Sequence, residues 1–235
     1  MPQPRILLIE DEKGLVQSLT WYFNREGYET TAVGDGAEGL RKAQALLPDL
    51  ILLDLNLPGM GGLDVCRELR SGDKTKRIPI VIITARSEET DEVIGLSLGA
   101  DDYVTKPFSN KVLLQRVKAI FRRAETAHET TDVTEHLGVK VDRMRHQVTV
   151  GEKRLDLTPT EFRLLEGLIR QPGRAFTRHQ LMDAAIGEGS IVLERTIDVH
   201  VKTLRKKLAD LRGGTGELIE TVRGVGYRFR ETAES

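Results

Sequence analysis

Short apolar runs that end in polar residues recur in the first half of the chain. They cover residues 6–9, 50–53, 78–83 and 103–105, and they lead into Glu10 and Asp11, Asp54, Thr84 and Lys106. Apolar runs without alternation are typical of strands that are buried on both faces, as in a parallel sheet. The pattern therefore predicts a buried parallel sheet whose strands end in reactive side chains.

Apolar residues at helical spacing separate these strands. Leu15, Leu19 and Phe23 share one helical face, and Gly27 is placed to end that helix. Further helices are predicted over residues 37–47, 63–69, 89–98 and 111–123, with a weaker strand over 28–33. Five strands that alternate with five helices predict an α/β fold with a five-stranded, doubly wound parallel sheet.

Right-handed crossovers place the carboxyl ends of all the strands at one edge of such a sheet. An isolated Asp54 would more often be a loop or capping residue. Here, however, five polar groups are expected together: the carboxylates of Glu10, Asp11 and Asp54, the hydroxyl of Thr84 and the ammonium of Lys106. Oxygen-only ligands suit Mg²⁺, to which Asn56 can add its backbone carbonyl. A carboxylate beside Mg²⁺ can accept a phosphoryl group, with Lys106 and Thr84 binding the transferred oxygens.

Residues 125–136 contain no sizeable apolar run and read as a flexible, acidic linker. The chain therefore divides into domains at residues 1–124 and 137–235. In the second domain, short strands precede a helix that starts at Thr158-Pro159-Thr160-Glu161, a capping-box pattern with proline at the first helical position. A second helix starts after Thr177.

A longer helix begins near Arg195 and has two distinct faces. Its apolar face holds Ile197, Val201, Leu204, Leu208 and Leu211; the opposite face holds Arg195, Val199, Lys202 and Lys206, flanked by Asp198 and Thr203. A hairpin follows over residues 218–230, with Arg223 at its tip. Two helices, a basic helix and a hairpin predict a winged helix-turn-helix, although a cationic stripe alone is more often just a solvated face.

Charge and composition add to this picture. Residues 137–235 carry 18 Lys/Arg against 14 Asp/Glu, which favours a polyanion as the partner of the second domain. The single cysteine excludes an intramolecular disulfide and a cysteine-only metal site. No apolar run approaches the roughly 20 residues that span a bilayer, so we expect no membrane association and a cytoplasmic protein.

Four motifs of the first half resemble the receiver domain of two-component response regulators. They are Ile9-Glu10-Asp11-Glu12, Leu53-Asp54-Leu55-Asn56-Leu57-Pro58-Gly59, Ile83-Thr84-Ala85 and Gly99-Ala100-Asp101-Asp102-Tyr103-Val104-Thr105-Lys106-Pro107-Phe108. The resemblance implies Asp54 as phosphoacceptor, Glu10 and Asp11 as the Mg²⁺ pocket, and Thr84 and Lys106 as phosphate ligands. It also implies that Tyr103 is a switch residue and that the peptide before Pro107 is cis.

In the winged-helix subfamily, receivers pair through the surface made by the helix near 89–98, the last strand and the last helix. A basic residue and a glutamate commonly face each other there, but this chain has Ile94 and Val112. An apolar contact is therefore expected in their place, and Asp101, Asp102 and Arg116 are expected to form ion pairs across the dimer. Such a dimer should be less sensitive to salt than is usual in the family.

Two runs of the second half, Arg195-Thr196-Ile197-Asp198-Val199-His200-Val201 and Thr221-Val222-Arg223-Gly224-Val225-Gly226-Tyr227, resemble the effector domain of the OmpR/PhoB class. The resemblance implies base contacts by Asp198, Val199, Lys202 and Thr203 and phosphate contacts by Arg195, Thr196, His200, Arg205 and Lys206. Arg223 would enter a minor groove. Segment 186–193 is where family members contact RNA polymerase, a candidate partner, although Gly187-Glu188-Gly189-Ser190 is unusual there.

The sequence thus predicts a transcriptional response regulator that a sensor histidine kinase phosphorylates on Asp54. It would dimerise on phosphorylation and bind tandem half-sites on double-stranded DNA, with no enzymatic activity beyond gaining and losing its own phosphoryl group. Two alternatives stay open. One is a Mg²⁺-dependent phosphotransferase or phosphatase acting on a small substrate. The other is a DNA-binding protein that uses its receiver only to dimerise, without phosphorylation.

Overall fold

The computed structural model describes residues 3–85, 95–96, 98–125, 133–185, 195–212 and 217–232. Contacts divide the chain into two compact units, Met1–Lys118 and Ala119–Ser235, and the division falls inside the helix Asn110–Glu125. Among the described helices, none is both long enough and apolar enough to cross a bilayer.

The first unit is built on a five-stranded sheet in the order β2-β1-β3-β4-β5, and every neighbouring pair is parallel. The strands are β1 (Arg5–Ile9), β2 (Glu29–Val33), β3 (Leu50–Leu53), β4 (Ile80–Thr84) and β5 (Asp102–Thr105). All residues of β3 and β4 are buried, as expected for central strands that are covered on both faces. The predicted fold class is confirmed.

Four described helices belong to this half of the chain: α1 (Lys13–Arg25), α2 (Gly36–Leu46), α3 (Gly62–Ser71) and α4 (Asn110–Glu125). Gly27 follows α1 with a φ of +92°, as the sequence predicted. Asp35 caps α2 by accepting a hydrogen bond from the Glu38 N–H at 2.8 Å. The helix expected over 89–98 lies almost entirely outside the described residues.

The chain turns sharply between β3 and α3, just after Asp54. The Gly62 N–H donates to the Leu55 carbonyl at 3.1 Å, which folds the first turn of α3 back over the end of the strand. A Cβ on Gly62 would lie 2.0 Å from the carbonyl oxygen of Asp54 and 2.7 Å from the Cα of Leu55. Only glycine fits at this position, because the backbone that carries Asp54 occupies the space of any side chain.

The second unit contains two antiparallel sheets. One has four strands in the order β6-β7-β8-β9, namely Val133–His136, Val139–Asp142, Gln147–Val150 and Lys153–Leu155. The other has three in the order β10-β12-β11, namely Phe176–Thr177 (β10), Gly226–Phe229 (β12) and Ile219–Val222 (β11). The last two strands are the predicted hairpin.

The described helices of this unit are α5 (Pro159–Ile169), α6 (Arg178–Ala185) and α7 (Arg195–Arg212). The predicted capping box starts α5, since Thr158 and Glu161 each accept a hydrogen bond from the other's backbone N–H. Thr177 Oγ1 likewise accepts from the Gln180 N–H at 3.1 Å at the start of α6. Helix α7 buries its predicted apolar face in a core shared with α5, α6 and both sheets. The unit is a winged helix-turn-helix.

The structure corrects the end of the predicted linker. Residues 126–132 lie outside the described residues, but 133–136 form β6, which pairs antiparallel with β7. His136, at the end of the predicted linker, is half-buried, with its Nε2 3.0 Å from the Arg230 carbonyl oxygen. The sequence did not reveal this strand because Val133–His136 has little apolar content, and pairing with β7 rather than burial stabilises it.

We predict that Gly62→Ala lowers the free energy of unfolding by about 2 kcal/mol, because the added methyl group displaces the Asp54–Leu55 backbone. Gly61→Ala is the matched control, since Gly61 has a φ of −64° and a Cβ added there would meet no heavy atom within 4 Å. The control should lose less than about 1 kcal/mol. Urea denaturation of both variants measures this, and equal losses would contradict the steric argument.

Candidate functional sites

The carboxyl edge of the parallel sheet brings the predicted polar residues together. Glu10 follows β1, Asp54 follows β3 and Lys106 follows β5, and the register aligns Ile9 with Leu53. One carboxylate oxygen from each of Glu10, Asp11 and Asp54 lies within 4.8 Å of the others. Glu10 and Asp54 are only 1% and 3% exposed, whereas Asp11 is exposed to solvent. This acidic cluster is the one that the sequence predicted.

The Lys106 ammonium bridges the two buried carboxylates. Its Nζ donates to Asp54 Oδ2 at 2.7 Å and to Glu10 Oε2 at 2.8 Å. Backbone N–H groups hold the other oxygens, from Asn56 to Asp54 Oδ1 at 2.9 Å and from Glu12 to Glu10 Oε1 at 3.2 Å. Each oxygen of the buried pair therefore has a donor. Glu12, which the sequence analysis did not assign, lies 3.9 Å from Lys106 Nζ.

Burial and the neighbouring charges shift the pKa values of Glu10 and Lys106. Burial raises the pKa of Glu10 above its usual value, and the nearby Asp54 charge adds to the rise, while Lys106 opposes it. The pKa of Lys106 is raised as well: burial opposes the charged form, but the hydrogen bonds to Asp54 and Glu10 outweigh it. The pocket therefore favours additional positive charge near Glu10 and Asp54.

A divalent cation fits this donor set. Three carboxylates in reach of one another, without histidine or cysteine, are typical ligands of a hard cation such as Mg²⁺. Asp11 is exposed, so the pocket opens to solvent on that side. The role of the Asn56 backbone carbonyl as a metal ligand stays a prediction.

Thr84 and Tyr103 lie on the two strands that follow β3 in the sheet. Thr84 ends β4 and is fully buried, and its carbonyl accepts a backbone hydrogen bond from the Lys106 N–H at 2.8 Å. Tyr103 is buried on β5, and a Cβ on Gly95 would lie 3.8 Å from its ring. The peptide between Lys106 and Pro107 is cis, as the resemblance implied. The switch role of Tyr103 stays a prediction.

The residues expected to pair across a dimer are paired within the chain. Arg116 Nη1 contacts both carboxylate oxygens of Asp102, at 2.9 and 2.8 Å. Asp101 Oδ2 accepts from Arg70 Nη2 and from the Ile80 N–H, both at 2.9 Å. These groups are buried, and burial of a charge requires a partner. Ion pairs of these residues across a dimer stay a prediction. Val112 is half-buried, and Ile94 lies outside the described residues.

In the second unit, α7 presents the predicted polar face. Lys202 and Lys206 are exposed, and Asp198, Val199 and Thr203 are partly exposed beside them. Arg223 is exposed in the turn between β11 and β12. This polar face is therefore accessible to a ligand. The side chain of Arg195 is not among the side chains that the structure describes.

Three residues of α7 lie differently from the prediction. Thr196 and His200 are 0% and 1% exposed, so the expectation that their side chains reach phosphates is not met in this structure, because the domain's own core covers them. Arg205 Nε donates to the Ile219 carbonyl at 2.8 Å, and its Nη2 donates to Thr221 Oγ1 at 2.9 Å. Arg205 thus joins α7 to the hairpin.

Sequence reasoning missed two ion pairs that hold α7 in place. Lys207 Nζ lies 2.6 Å from Oε2 of the buried Glu161, and Arg178 Nε lies 2.8 Å from Asp198 Oδ1. Tyr227 also donates its hydroxyl to Asp198 Oδ1, at 2.7 Å. Helical periodicity places a residue on a face but does not identify its partner on another element, so no signal in the sequence marked these pairs.

Comparison with known proteins gives a family match in each half of the chain. Residues 6–118 match the family described as "Response regulator receiver domain", and residues 151–229 match "Transcriptional regulatory protein, C terminal". The chain is 45% identical over 225 residues to the phosphate regulon transcriptional regulatory protein PhoB of Rhizobium meliloti (strain 1021), across 95% of this chain and 97% of the relative. It is 43% identical over 230 residues to the transcriptional regulatory protein BaeR of Escherichia coli O6:H1, across 98% and 94%.

Solved structures show the same architecture. A mutant of RitR is similar with a TM-score of 0.79 and 30% identity, over 97% of this chain and 100% of that chain. The response regulator DrrB of Thermotoga maritima, described as an OmpR/PhoB homologue, has a TM-score of 0.51 and 26% identity, again over 97% and 100%.

We predict that Lys106→Met lowers the free energy of unfolding by about 2 kcal/mol in metal-free buffer at neutral pH, because it leaves two buried carboxylates without their cation. Added Mg²⁺ should restore part of this loss, since it binds the folded state. Lys118→Met is the control, because the Lys118–Glu26 pair is exposed and should contribute little. Equal losses in the two variants would contradict the argument.

The pH dependence of that variant has a defined sign. The folded-state pKa of Glu10 lies above its unfolded value of 4.5, so the folded protein holds the extra proton between the two values. The stability that Glu10 contributes therefore falls as pH rises through this interval. Loss of the Lys106 charge raises that pKa further, so Lys106→Met should show a larger fall than the wild type in thermal unfolding measured from pH 4 upward.

Proposed function

The chain belongs to the response regulators of the OmpR/PhoB family, and we propose that Asp54 is its phosphoacceptor and α7 its DNA-reading helix. The protein is a DNA-binding transcriptional regulator with a receiver domain. The observation that carries the phosphoacceptor assignment is the position of Asp54. It lies at the carboxyl end of the central strand, with one oxygen held by the Asn56 N–H and the other by Lys106.

The phosphoryl group would come from the phosphohistidine of a sensor histidine kinase. An Asp54 carboxylate oxygen attacks phosphorus, the phosphorus–nitrogen bond breaks, and the imidazole leaves with a proton from solvent. Lys106 donates to Asp54 Oδ2 before the reaction and would shift this hydrogen bond to an oxygen of the transferred group. Thr84 would donate its hydroxyl to another of these oxygens. Attack of water on phosphorus later releases phosphate and restores Asp54.

The bound cation is proposed to be Mg²⁺. Glu10, Asp11, Asp54 and the Asn56 backbone carbonyl would hold it. It would supply positive charge to the phosphoryl oxygens. This chemistry acts on the protein's own Asp54, so we propose no further enzymatic activity; turnover of added phosphoesters would favour the alternative of a phosphatase or phosphotransferase.

On DNA, α7 would lie in the major groove and the β11–β12 hairpin beside it. Lys202, Val199, Asp198 and Thr203 would face base edges, while Lys206 and Arg195 would contact phosphates. Arg223 at the hairpin tip would enter the adjacent minor groove. The exposure of Lys202, Lys206 and Arg223 supports these roles.

Phosphorylated receivers are proposed to pair as homodimers, so that two winged helices reach tandem half-sites about one helical turn apart. Within one chain Asp101 pairs with Arg70 and Asp102 with Arg116. In the dimer, Asp101, Asp102 and Arg116 would pair across the interface instead, beside an apolar contact near Val112. Switching would involve Thr84 and Tyr103.

RNA polymerase is a further proposed partner. Because the target is DNA, we place the protein in the cytoplasm.

Phosphoacceptor identity has a direct test. Acetyl phosphate with Mg²⁺ should label the wild type with an alkali-labile phosphoryl group, and Asp54→Ala should carry none. Asp64→Ala is the control, since Asp64 lies on α3, paired only to Arg67 in the described residues, and should label fully. Full labelling of Asp54→Ala would contradict the assignment of Asp54 as the phosphoacceptor. An unlabelled wild type, or DNA binding that is indifferent to the label, would favour a regulator that works without phosphorylation.

The two exposed lysines of α7 should have separable effects on DNA binding. Lys206→Ala should weaken binding to cognate and to random DNA by similar factors. It should also reduce the slope of log affinity against log salt concentration by about 1, because one phosphate contact is lost. Lys202→Ala should lower the affinity for the cognate site by about ten-fold more than the affinity for random DNA. Fluorescence anisotropy over a range of salt concentrations measures both effects. Equal losses on both DNAs for the two variants would contradict this division.

A further inference from the structure

Asp198 is held by two donors that come from different elements. Arg178, the first residue of α6, donates its Nε at 2.8 Å, and Tyr227 of β12 donates its hydroxyl at 2.7 Å. Both hydrogen bonds end on the same oxygen, Oδ1. We refer to Arg178, Asp198 and Tyr227 as the Asp198 cluster.

The tyrosine of this cluster also lies close to two arginines. The guanidinium carbons of Arg178 and Arg205 lie 5.3 and 5.4 Å from the centre of its ring, within cation–π range. Burial raises the pKa of Tyr227, and its hydrogen bond to Asp198 raises it further, so the hydroxyl stays protonated and donates. The pKa of Arg178 is raised chiefly by its hydrogen bond to Asp198, so the guanidinium stays charged.

The second carboxylate oxygen of Asp198 is left for an external donor. Among the described residues, none donates a hydrogen bond to Oδ2, and the Asp198 side chain is 41% exposed. Asp198 lies in the first turn of α7, beside the exposed stripe of Val199 and Lys202. A carboxylate that has one oxygen fixed and the other open presents one acceptor in a defined direction.

The major groove offers such an acceptor few partners. An ionised carboxylate accepts hydrogen bonds and donates none. Guanine presents two acceptors there, thymine an acceptor and a methyl group, and adenine a donor beside an acceptor. Cytosine presents its N4 amino group without a neighbouring acceptor, so a single carboxylate oxygen fits it with no repulsion from the same base.

We propose that Arg178 and Tyr227 are positioning residues for DNA specificity, which fix Asp198 so that its Oδ2 accepts a hydrogen bond from the N4 amino group of a cytosine. The proposal rests on the proposed function, because it requires α7 to lie in the major groove. Arg178 has a second effect, since its charge offsets the repulsion between Asp198 and the DNA phosphates. Without this cluster, the carboxylate would be free to rotate and would oppose binding to every sequence.

The test measures base preference rather than affinity alone. Full-length protein is phosphorylated with acetyl phosphate and Mg²⁺, its preferred site is selected from random DNA, and binding is then measured with every base at every position. Asp198→Asn should lose preference for cytosine at one position by about ten-fold, the scale of one mismatched base pair. Its amide can donate as well as accept, so adenine should gain at that position.

Tyr227→Phe and Arg178→Met should weaken discrimination at that same position by about three-fold each, a partial loss on the scale of one base contact. Tyr227→Phe keeps the ring and removes only the donor, and Arg178→Met keeps the length of the side chain while it removes the charge. Arg145→Met is the matched control, because Arg145 is an exposed arginine of the same unit and lies on the β7–β8 turn. It should keep the wild-type preference at all positions.

Unchanged cytosine preference in Asp198→Asn would overturn the base assignment. If only Asp198→Asn loses cytosine preference, while Tyr227→Phe and Arg178→Met keep the preference of the wild type, the positioning role of Arg178 and Tyr227 would be overturned. Thermal unfolding checks that each variant is folded; if Tyr227→Phe unfolds, Arg178→Met decides the outcome alone. Failure of the proposed function looks different, because the phosphorylated wild type would then select no DNA site at all.

Discussion

Two buried carboxylates beside one ammonium are the constraint on which the receiver depends. Glu10 and Asp54 are removed from water at the ends of neighbouring parallel strands, and Lys106 lies within 2.8 Å of both. Burial of such a pair is unfavourable unless a cation and hydrogen-bond donors satisfy it. The same buried negative charge makes the pocket suited to Mg²⁺ and to a phosphoryl group. The carboxylates that destabilise the fold are therefore also the groups that carry the chemistry.

The winged-helix domain uses the same principle to hold its reading helix. Glu161 is buried at the start of α5 and accepts from Lys207, while Asp198 accepts from Arg178 and Tyr227. A lysine of α7 thus binds a carboxylate of α5, and a carboxylate of α7 binds donors from α6 and β12. These contacts fix how α7 lies against α5, α6 and the hairpin, and they leave the exposed lysine stripe available to meet DNA.

Sequence reasoning found the receiver pocket because parallel strands end at one edge, so residues far apart in the chain must converge there. It was less successful on α7. Thr196 and His200 belong to a motif that resembles a DNA-reading helix, yet the core covers both. Asp101 and Arg116 are predicted to pair across a dimer, and within one chain each also has an internal partner. A charge at a plausible position does not indicate whether its partner is internal or external.

The sequence by itself determined the fold classes of the two domains and the set of side chains at the sheet edge, because hydrophobic periodicity and strand-end position are local properties of the chain. Only the tertiary structure decided which charges pair. Arg70 with Asp101, Lys207 with Glu161 and Arg178 with Asp198 lie 31, 46 and 20 residues apart. Such pairs form where packing brings separate elements within hydrogen-bond distance, and no local pattern records that distance.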